Sequence, residues 1–238
     1  MRQKIIGVLG GMGPEATIEF FSRIVRRTQA PTEQDHLRIL LDNNPKVPPR
    51  MPAIAGEGRS CVPELVKSAR ALERAGADFI VIPCVTVHYF HAGLQKRTAL
   101  PVLHIVDETV KRLQARCPAV TRVGLLATTG TIGAGLFQEP LARRGIEVLV
   151  PGAKAQKVVT SAIKVIKVEG GSARARGMVR QAADDLLARG AEAVIAGCTE
   201  IPLALKDGDL PVPVIDSIDC LADAAIARAG GRRRRGRG

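Results

Sequence analysis

The chain has 238 residues, of which 46% are hydrophobic, so it can bury a substantial core, and a largely disordered protein is excluded. No stretch approaches the roughly 20 uninterrupted apolar residues of a membrane helix, and no signal-peptide pattern precedes the first strand-like run, so we expect a cytoplasmic protein without a membrane partner. The formal net charge is +12, but five arginines lie in a Gly/Arg tail after Gly230 and aromatic residues make up only 3%, so we expect no nucleic-acid partner.

Short β-branched runs alternate along the chain with longer segments of helical period. The chain opens with a strand-like run at residues 5–9, a helix-like run at 15–27 and a strand-like run at 37–41. Further strand-like runs follow, separated by segments long enough for helices, at residues 79–82, 102–105, 123–126, 147–150, 193–196 and 212–215. This order predicts an α/β fold with parallel sheets covered by helices on both faces.

An internal repeat divides these elements into two halves. GADFIVIPC at residues 76–84 matches GAEAVIAGC at 190–198, and LPVLHIVDE from residue 100 matches LPVPVIDSI from residue 210. IGVLGGMG from residue 6 has a looser counterpart in VGLLATTG from residue 123. We predict two pseudo-symmetric Rossmann-like parallel-sheet domains with the active site in the cleft between them. Their predicted limits are 1–102, with the C-terminal helix 216–229 returning to this domain, and 103–215, followed by a disordered Gly/Arg-rich tail at 230–238.

Two of the five cysteines occupy equivalent places in the repeat. Cys84 and Cys198 each follow a strand-like run, at the edge of a parallel sheet where ligands bind. A thiol beside a helix N-terminus loses its proton more readily and can exchange it near neutral pH. A cysteine at this place is more often a small core residue, but the repeated placement favours a function. Two such thiols suit racemisation or epimerisation, in which a proton leaves one face of a carbon and another arrives on the opposite face.

The remaining cysteines, Cys61, Cys117 and Cys220, lack this context, and we predict structural roles for them. The five cysteines have the spacing of neither a disulfide scaffold nor a zinc ribbon. We therefore expect reduced thiols and no metal site.

The loop GGMGPEAT at residues 10–17 carries glycines in the G-x-G-x-x-G/A spacing after a strand. Pro14 is predicted to open the following helix, and the free amides before it can bind a substrate carboxylate or a pyrophosphate. A nucleotide-dependent dehydrogenase is therefore an alternative, and a strand-to-helix turn without a ligand is another.

Polar loops after other strand-like runs add candidate residues. In DNNPKVPPR at 42–50, prolines restrict the backbone and can hold Arg50 as a bidentate carboxylate clamp, although a solvated arginine is an equal alternative. In ATTGT at 127–131, Thr128 and Thr129 offer hydroxyl groups that can instead cap a helix.

Two residues lie close in sequence to the candidate thiols. His88 is spaced to face Cys84 across one helical turn and to support its thiolate. Glu200, two residues after Cys198, can contact a substrate ammonium group or support the start of a helix.

Five motifs in order, GGMGPEAT, NNPKVPPR, PCVTVH, GLLATTGTI and AGCTEIPL, resemble the aspartate/glutamate racemase family and especially its aspartate racemases. The resemblance extends over nearly the whole chain, to about residue 229. It implies two similar α/β domains, frequently a homodimer, a small acidic amino-acid substrate, and neither pyridoxal phosphate nor a metal. We therefore expect a cofactor-independent isomerase that interconverts L- and D-aspartate, with glutamate as the other candidate substrate.

The resemblance also implies roles for individual residues. Cys84 and Cys198 are the two acid/base thiols, and Arg50 holds the distal carboxylate. Lys167 is the better match to the pocket lysine of the family, and Lys164 is the second choice. The substrate-binding residues implied in addition to Arg50 are Met12, Val85, Thr86, Thr128, Lys167, Thr199 and Glu200.

Val85 departs from the family pattern, which reads cysteine, asparagine, threonine at this place. Valine cannot make the hydrogen bonds of the amide, and losing such a bond typically costs about 1–3 kcal/mol. Substrate choice or catalytic rate is therefore open. The alternatives are an isomerase or decarboxylase of the same fold that acts on another small carboxylate, and a catalytically silent binding protein.

Overall fold

The computed structural model describes residues 2–233. Strands and helices alternate through the described chain much as the sequence pattern predicts. In order they are β1 Ile6–Gly10, α1 Pro14–Arg27, β2 Ile39–Asn43, α2 Arg50–Ala55, α3 Val62–Arg74, β3 Phe79–Val81, α4 His91–Gln95, α5 Ile105–Arg116, β4 Arg122–Leu126, α6 Thr129–Gly133, α7 Gln138–Ala142, β5 Glu147–Leu149, α8 Ala153–Glu169, α9 Ala173–Ala188, β6 Ala193–Ala196, β7 Val214–Asp216 and α10 Ser217–Ala229. Short 3-10 helices lie at Glu33–Asp35, Thr86–Phe90 and Ile201–Leu203.

The first of two compact units contains the described residues up to Ile105 and those from Ile218 onward. Its three-stranded sheet has the order β2-β1-β3 with all strands parallel, and Ile6 pairs with Ile39 on one side and Phe79 on the other. Every residue of the central strand β1 is buried, as expected where helices cover both faces of a parallel sheet.

The strand predicted at residues 102–105 is wrong for most of its length. Only Val102 forms a parallel bridge, with Ile80 of β3, and Ile105 already begins α5. The ladder stops because the amide of Ile105 is directed to the Nε2 atom of the His88 ring, 3.3 Å away, and not to a neighbouring strand. Two backbone hydrogen bonds remain of the expected pairing: the amide of Ile80 donates one, and its carbonyl accepts the other.

The second unit comprises Val106–Ser217 and contains a four-stranded parallel sheet of order β5-β4-β6-β7. Val123 pairs with Val148 and Ala193 on its two sides. The last strand begins at Val214, two residues later than predicted, because Pro211 and Pro213 have no amide hydrogen to donate to a sheet. Pro213 still contributes its carbonyl, which accepts a hydrogen bond from Val194.

Both sheets place the first strand of the unit between the second and third strands. This shared order confirms the predicted α/β class with two parallel-sheet units. The chain passes between units at residues 105/106 and 217/218, whereas the sequence places the changes at 102/103 and 215/216. Those predicted domain limits stay a prediction.

Helix α10 is tied to helix α1 by ion pairs within the first unit. Arg23 contacts Asp219 at 2.9 Å, and Arg27 contacts both Asp219 and Asp223, at 3.0 and 2.8 Å. The side chains of Arg23 and Asp223 are each less than 10% exposed, so these pairs are shielded from water more than ordinary surface pairs.

The residues after α10 differ from the predicted disordered tail where the structure describes them. Gln29 donates its amide to the carbonyl of Arg232, Arg233 forms an antiparallel bridge with Thr28, and its guanidinium contacts Asp223. The rest of the predicted tail, residues 234–238, lies outside the described residues. Within residues 2–233, the helices are too short or too polar to span a bilayer.

Candidate functional site

The glycine loop after β1 is folded tightly against its neighbours in the first unit. Gly11 has a φ of 93°, and a Cβ atom there would lie 2.3 Å from the backbone carbon of Asn44. The amide of Gly11 donates to the hydroxyl of Thr17, which in turn donates to the carbonyl of Gly13. Pro14 opens α1 as predicted. Some hydrogen-bonding groups of this loop are therefore already occupied by contacts within the unit. The positive φ and the close approach of the Asn44 backbone require glycine at position 11.

Arg50 begins α2 at the end of the proline-containing loop. Its guanidinium donates to the carbonyl of Pro48 at 3.2 Å and lies 3.5 Å from that of Val47. These contacts involve one terminal nitrogen, and a guanidinium carries five N–H donors in a planar fork. The loop therefore orients Arg50 while leaving it capable of binding an anion.

Cys84, Val85 and Thr86 follow β3 and are all buried. Cys84 and Met12 belong to one core cluster of the first unit, so the structure brings two of the sequence-predicted residues together. Val85 precedes the 3-10 helix Thr86–Phe90 and is 2% exposed, so an apolar side chain occupies the position where the family pattern has an amide.

His88 holds the backbone of the Cys84 loop. Its Nδ1 atom lies 2.8 Å from the carbonyl oxygen of Cys84 and donates to it, while Nε2 accepts from the amide of Ile105. Burial, helped by the neighbouring rings of His104 and His91, lowers the pKa of His88 to about 3. His88 is therefore neutral near pH 7 and supports the loop backbone, in contrast to the predicted contact with the thiolate.

Cys61 lies close to the predicted site, although no sequence pattern indicates this. Its thiol is fully buried, contacts the carbonyl of Pro48 at 3.4 Å and shares a core cluster with Cys84. Burial raises the pKa of the Cys61 thiol, the positive Arg50 opposes this rise, and Cys84 adds to it. Arg50, Cys61 and Cys84 are thus electrostatic neighbours, which no spacing rule along the chain would indicate.

In the second unit, Thr128 caps α6. Its hydroxyl oxygen accepts from the amide of Thr131 at 3.1 Å, which is the helix-capping alternative considered from the sequence. Thr128 follows β4 closely and therefore lies at the carboxyl edge of the sheet. The loop before it is held by Gln156 of α8, which donates to the carbonyl of Ala127.

Cys198, Thr199 and Glu200 follow β6 and are buried. The thiol of Cys198 donates to Oε2 of Glu200 at 2.8 Å, and the hydroxyl of Thr199 lies 3.3 Å from the same oxygen. Lys167 of α8 places its ammonium 3.6 Å from the other oxygen, Oε1. The structure thus brings together four sequence-predicted residues, with the ammonium of Lys167 beside the thiol loop.

The helices that follow the two thiols are shorter than expected. Cys84 precedes a 3-10 helix of five residues, and Cys198 precedes one of three residues. A helix dipole needs aligned peptide units, so such short segments do little to favour a thiolate. At Cys198 the adjacent charged group is instead the carboxylate of Glu200.

Four kinds of functional group are present at these loops. Each unit presents a thiol just beyond a parallel strand, the second unit adds a carboxylate and an ammonium group, and the first adds a guanidinium. No disulfide joins any of the five cysteines, which all lie within the described residues. In the described part of the chain, no group of three or more His, Cys, Asp or Glu side chains is arranged to hold a metal. Thiols can exchange protons with a carbon acid, and the cations can bind carboxylates.

Comparison with known proteins gives one family over nearly the whole chain. Residues 9–225 match the family model of the Asp/Glu/Hydantoin racemases. A broad specificity amino-acid racemase of Bacillus subtilis is 29% identical over 229 residues, which cover 94% of this chain and 97% of that protein.

Solved structures agree with this match. Picrophilus torridus aspartate racemase superposes with a TM-score of 0.88 at 30% identity, covering 97% of this chain and 96% of that chain. An aspartate racemase homologue from Pyrococcus horikoshii gives a TM-score of 0.76 at 26% identity, with 95% and 99% of the chains covered.

Proposed function

Because this chain belongs to the Asp/Glu/hydantoin racemase family, as its motifs indicated, we propose that it is an amino-acid racemase that interconverts L- and D-aspartate, with glutamate as the second candidate substrate. The observation that carries this proposal is the equivalent placement of Cys84 and Cys198. Each thiol is buried in a loop directly after the third strand of its unit. One acid/base group per unit is what an exchange of protons on two faces of a carbon requires.

The proposed mechanism is a 1,1-proton transfer. The thiolate of one cysteine removes the α-proton of the bound amino acid, and the thiol of the other cysteine protonates the opposite face. The two sulfurs exchange roles in the reverse direction. No net charge or redox change results, because one proton leaves and another arrives.

Arg50 and Lys167 supply the positive charge in this proposal. Arg50 holds the distal carboxylate of the substrate, and Lys167 lies beside the Cys198 loop. Preorganised cations stabilise the negative charge that develops as the α-proton leaves. The remaining proposed contacts to the substrate are Met12, Val85, Thr86, Thr128 and Thr199.

We propose that no pyridoxal phosphate takes part. A pyridoxal cofactor acts as an electron sink for the α-carbanion, and here the fixed cations Arg50 and Lys167 replace it. A cofactor-independent enzyme has the same rate in dialysed protein with and without added pyridoxal phosphate.

Val85 supports a second candidate, which is the same reaction on another amino acid. The Bacillus subtilis relative is described as broad in specificity, and the buried Val85 offers a substrate only apolar contact. An apolar wall of this kind tolerates side chains that an amide would reject.

We further propose a homodimer. Ile18, Phe21 and Val25 form an apolar stripe on α1 and are 60%, 39% and 36% exposed. Glu15 lies at the start of this exposed face and Arg26 at its end. Antiparallel packing of α1 against a second copy would set Glu15 beside Arg26 of that copy and bury the stripe. Sedimentation of the parent and of Phe21→Glu tests this, since a monomeric parent contradicts it.

We also propose a cytoplasmic location, because the mechanism needs reduced thiols and a reducing compartment maintains them. None of the five cysteines, all of which lie within the described residues, takes part in a disulfide.

The decisive experiment follows the α-proton of L- and D-aspartate, then of glutamate and neutral amino acids, in deuterated buffer. NMR reports exchange, and chiral chromatography reports inversion, for the parent and for Cys84→Ser and Cys198→Ser. Cys117→Ser is the matched control, since Cys117 lies outside both thiol loops. Exchange with inversion in the parent and control, lost in both variants, supports the proposal.

Two results contradict it. Inversion that survives Cys84→Ser or Cys198→Ser would exclude the two-thiol mechanism. If no amino acid exchanges its α-proton, the racemase is excluded, and a decarboxylase or a binding protein is favoured. NMR distinguishes these two alternatives, because only a decarboxylase would remove the signal of a small dicarboxylate.

A further inference from the structure

The carboxylate of Glu200 is buried beside the thiol of Cys198. Glu200 is 4% exposed, and its Oε2 atom lies 2.8 Å from the sulfur of Cys198. Its other oxygen faces the ammonium of Lys167 at 3.6 Å. One carboxylate is thus held between a thiol and a cation, and both of its oxygens are used.

This arrangement breaks the symmetry of the internal repeat. The residue two positions after Cys84 is Thr86, whereas the residue two positions after Cys198 is Glu200. The two thiol loops therefore carry a neutral hydroxyl and a carboxylate at matching places, in spite of their equivalent positions after β3 and β6.

A carboxylate at hydrogen-bond distance favours the protonated form of a thiol for two reasons. The S–H group has an acceptor only while it keeps its proton, and a thiolate would face a like charge. Lys167 opposes the second effect by neutralising part of the charge on Glu200. Asp216, which ends β7 beside Ala196 of β6, is a further charged group at this edge of the sheet.

We infer that Glu200 is a positioning residue that keeps the proton on Cys198, with Lys167 fixing its carboxylate, so that Cys198 is the proton donor of the resting protein. The kinetic part of this inference rests on the proposed racemase function. Glu200 then acts through Cys198 and has no direct contact with the substrate, in contrast to the role that the family resemblance implies for it.

The inference has a kinetic consequence. The enantiomer that is deprotonated by Cys84 meets Cys198 in its resting, protonated form, whereas its mirror image must bind a form in which Cys198 is ionised. Because the equilibrium constant for racemisation is 1, kcat/KM is the same in both directions. The asymmetry therefore appears as kcat values that differ between the two directions and KM values that differ by the same factor.

The first test measures the ionisation of Cys198 directly, by ultraviolet absorbance of the thiolate during a pH titration. The step that belongs to Cys198 is the one absent from Cys198→Ser. We expect Glu200→Gln, which keeps an acceptor oxygen without the charge, to move this step to lower pH by about one unit, or tenfold in the ionisation constant.

Two lysine variants sharpen the test. Lys167→Met removes the cation beside Glu200, so the Cys198 step moves to higher pH. Lys164→Met is the matched control on the same exposed side of α8 and leaves the step unchanged. An unchanged or raised step in Glu200→Gln overturns the inference, as does a lowered step in Lys167→Met. If Glu200→Gln does not fold, Glu200→Asp, with a shorter reach, should produce a smaller shift of the same sign.

The second test is kinetic. In Glu200→Gln, the ratio of kcat in the two directions and the ratio of KM values both move toward 1, whereas a purely structural role would lower kcat in both directions alike. Failure of the racemase proposal remains distinguishable from failure of this inference. If Cys198 titrates as expected but no amino acid is racemised, the proposed function is refuted, whereas the coupling of Glu200 to Cys198 is retained.

Discussion

His88 and Cys84 are joined by a hydrogen bond of 2.8 Å from the imidazole Nδ1 to the backbone carbonyl. The same ring accepts the amide of Ile105, so one neutral side chain fixes both the thiol loop and the start of α5. The loop that carries Cys84 therefore depends on the protonation state of His88.

His88 makes the stability of the protein dependent on pH. Burial lowers its pKa to about 3 from an ordinary value of 6.5, so between these values the unfolded chain binds a proton that the folded chain does not. Stability is full above pH 6.5 and falls, as the pH decreases, by up to about 1.4 kcal/mol per pH unit from this residue. Urea unfolding followed by circular dichroism measures this slope, and His88→Asn should make it shallower. An identical slope in the variant would assign the acid sensitivity to other groups.

The same position tests the support of the loop. Asn can donate to the carbonyl of Cys84, whereas Phe cannot. We expect His88→Phe to lose about 1–3 kcal/mol more stability at pH 7 than its packing alone explains, because the Cys84 carbonyl and the Ile105 amide lose their partner. Equal stability of the Asn and Phe variants would show that the hydrogen bond contributes little.

Gly11→Ala should destabilise the protein by at least about 2 kcal/mol, because alanine is strained at positive φ and its Cβ would overlap the Asn44 backbone. Gly177→Ala is the control. Gly177 lies inside α9 with no atom near an added Cβ, so alanine should stabilise the helix there by about 0.5–1 kcal/mol. Thermal melts of both variants, followed by circular dichroism, check these opposite signs. A loss of stability in both would point to a general intolerance of glycine replacement.

Thr128→Ala removes the acceptor that caps α6, and we expect a loss of about 1 kcal/mol in the free energy of unfolding. Thr128→Ser keeps the acceptor and should recover most of it. Thr129→Ala, at the exposed neighbouring residue, should change stability by less than about 0.5 kcal/mol. Kinetics separate the cap from the proposed substrate contact: if Thr128→Ser restores stability but not the KM for aspartate, the methyl group also contributes to the pocket.

Val85→Asn restores the amide of the family pattern. If the proposed pocket includes this residue, kcat/KM for aspartate should rise about tenfold, equivalent to one additional hydrogen bond of about 1.4 kcal/mol. Activity toward neutral amino acids should fall in the same variant. Unchanged kinetics with a folded protein would place the Val85 side chain outside the substrate site.

Much of the fold could be predicted from the sequence. Strands β1, β3, β4 and β6 lie within two residues of their predicted places, because their runs of buried β-branched and apolar residues are local signals. The strand at residues 102–105 failed, since its hydrogen bonds depend on a ring contributed by His88. Cys61 was missed for a similar reason, because its proximity to Cys84 comes from packing and not from spacing.

The sequence by itself determined the alternation of strands and helices, the repeat, the family and the two thiol positions, since each is written in periodicity or in ordered motifs. Only the tertiary structure decided the partners of those positions. Lys167 meets Glu200, and Glu200 meets Cys198, because α8 packs beside the loop after β6. Such a contact depends on distances between segments remote in the chain, and electrostatic and hydrogen-bond energies change steeply with those distances.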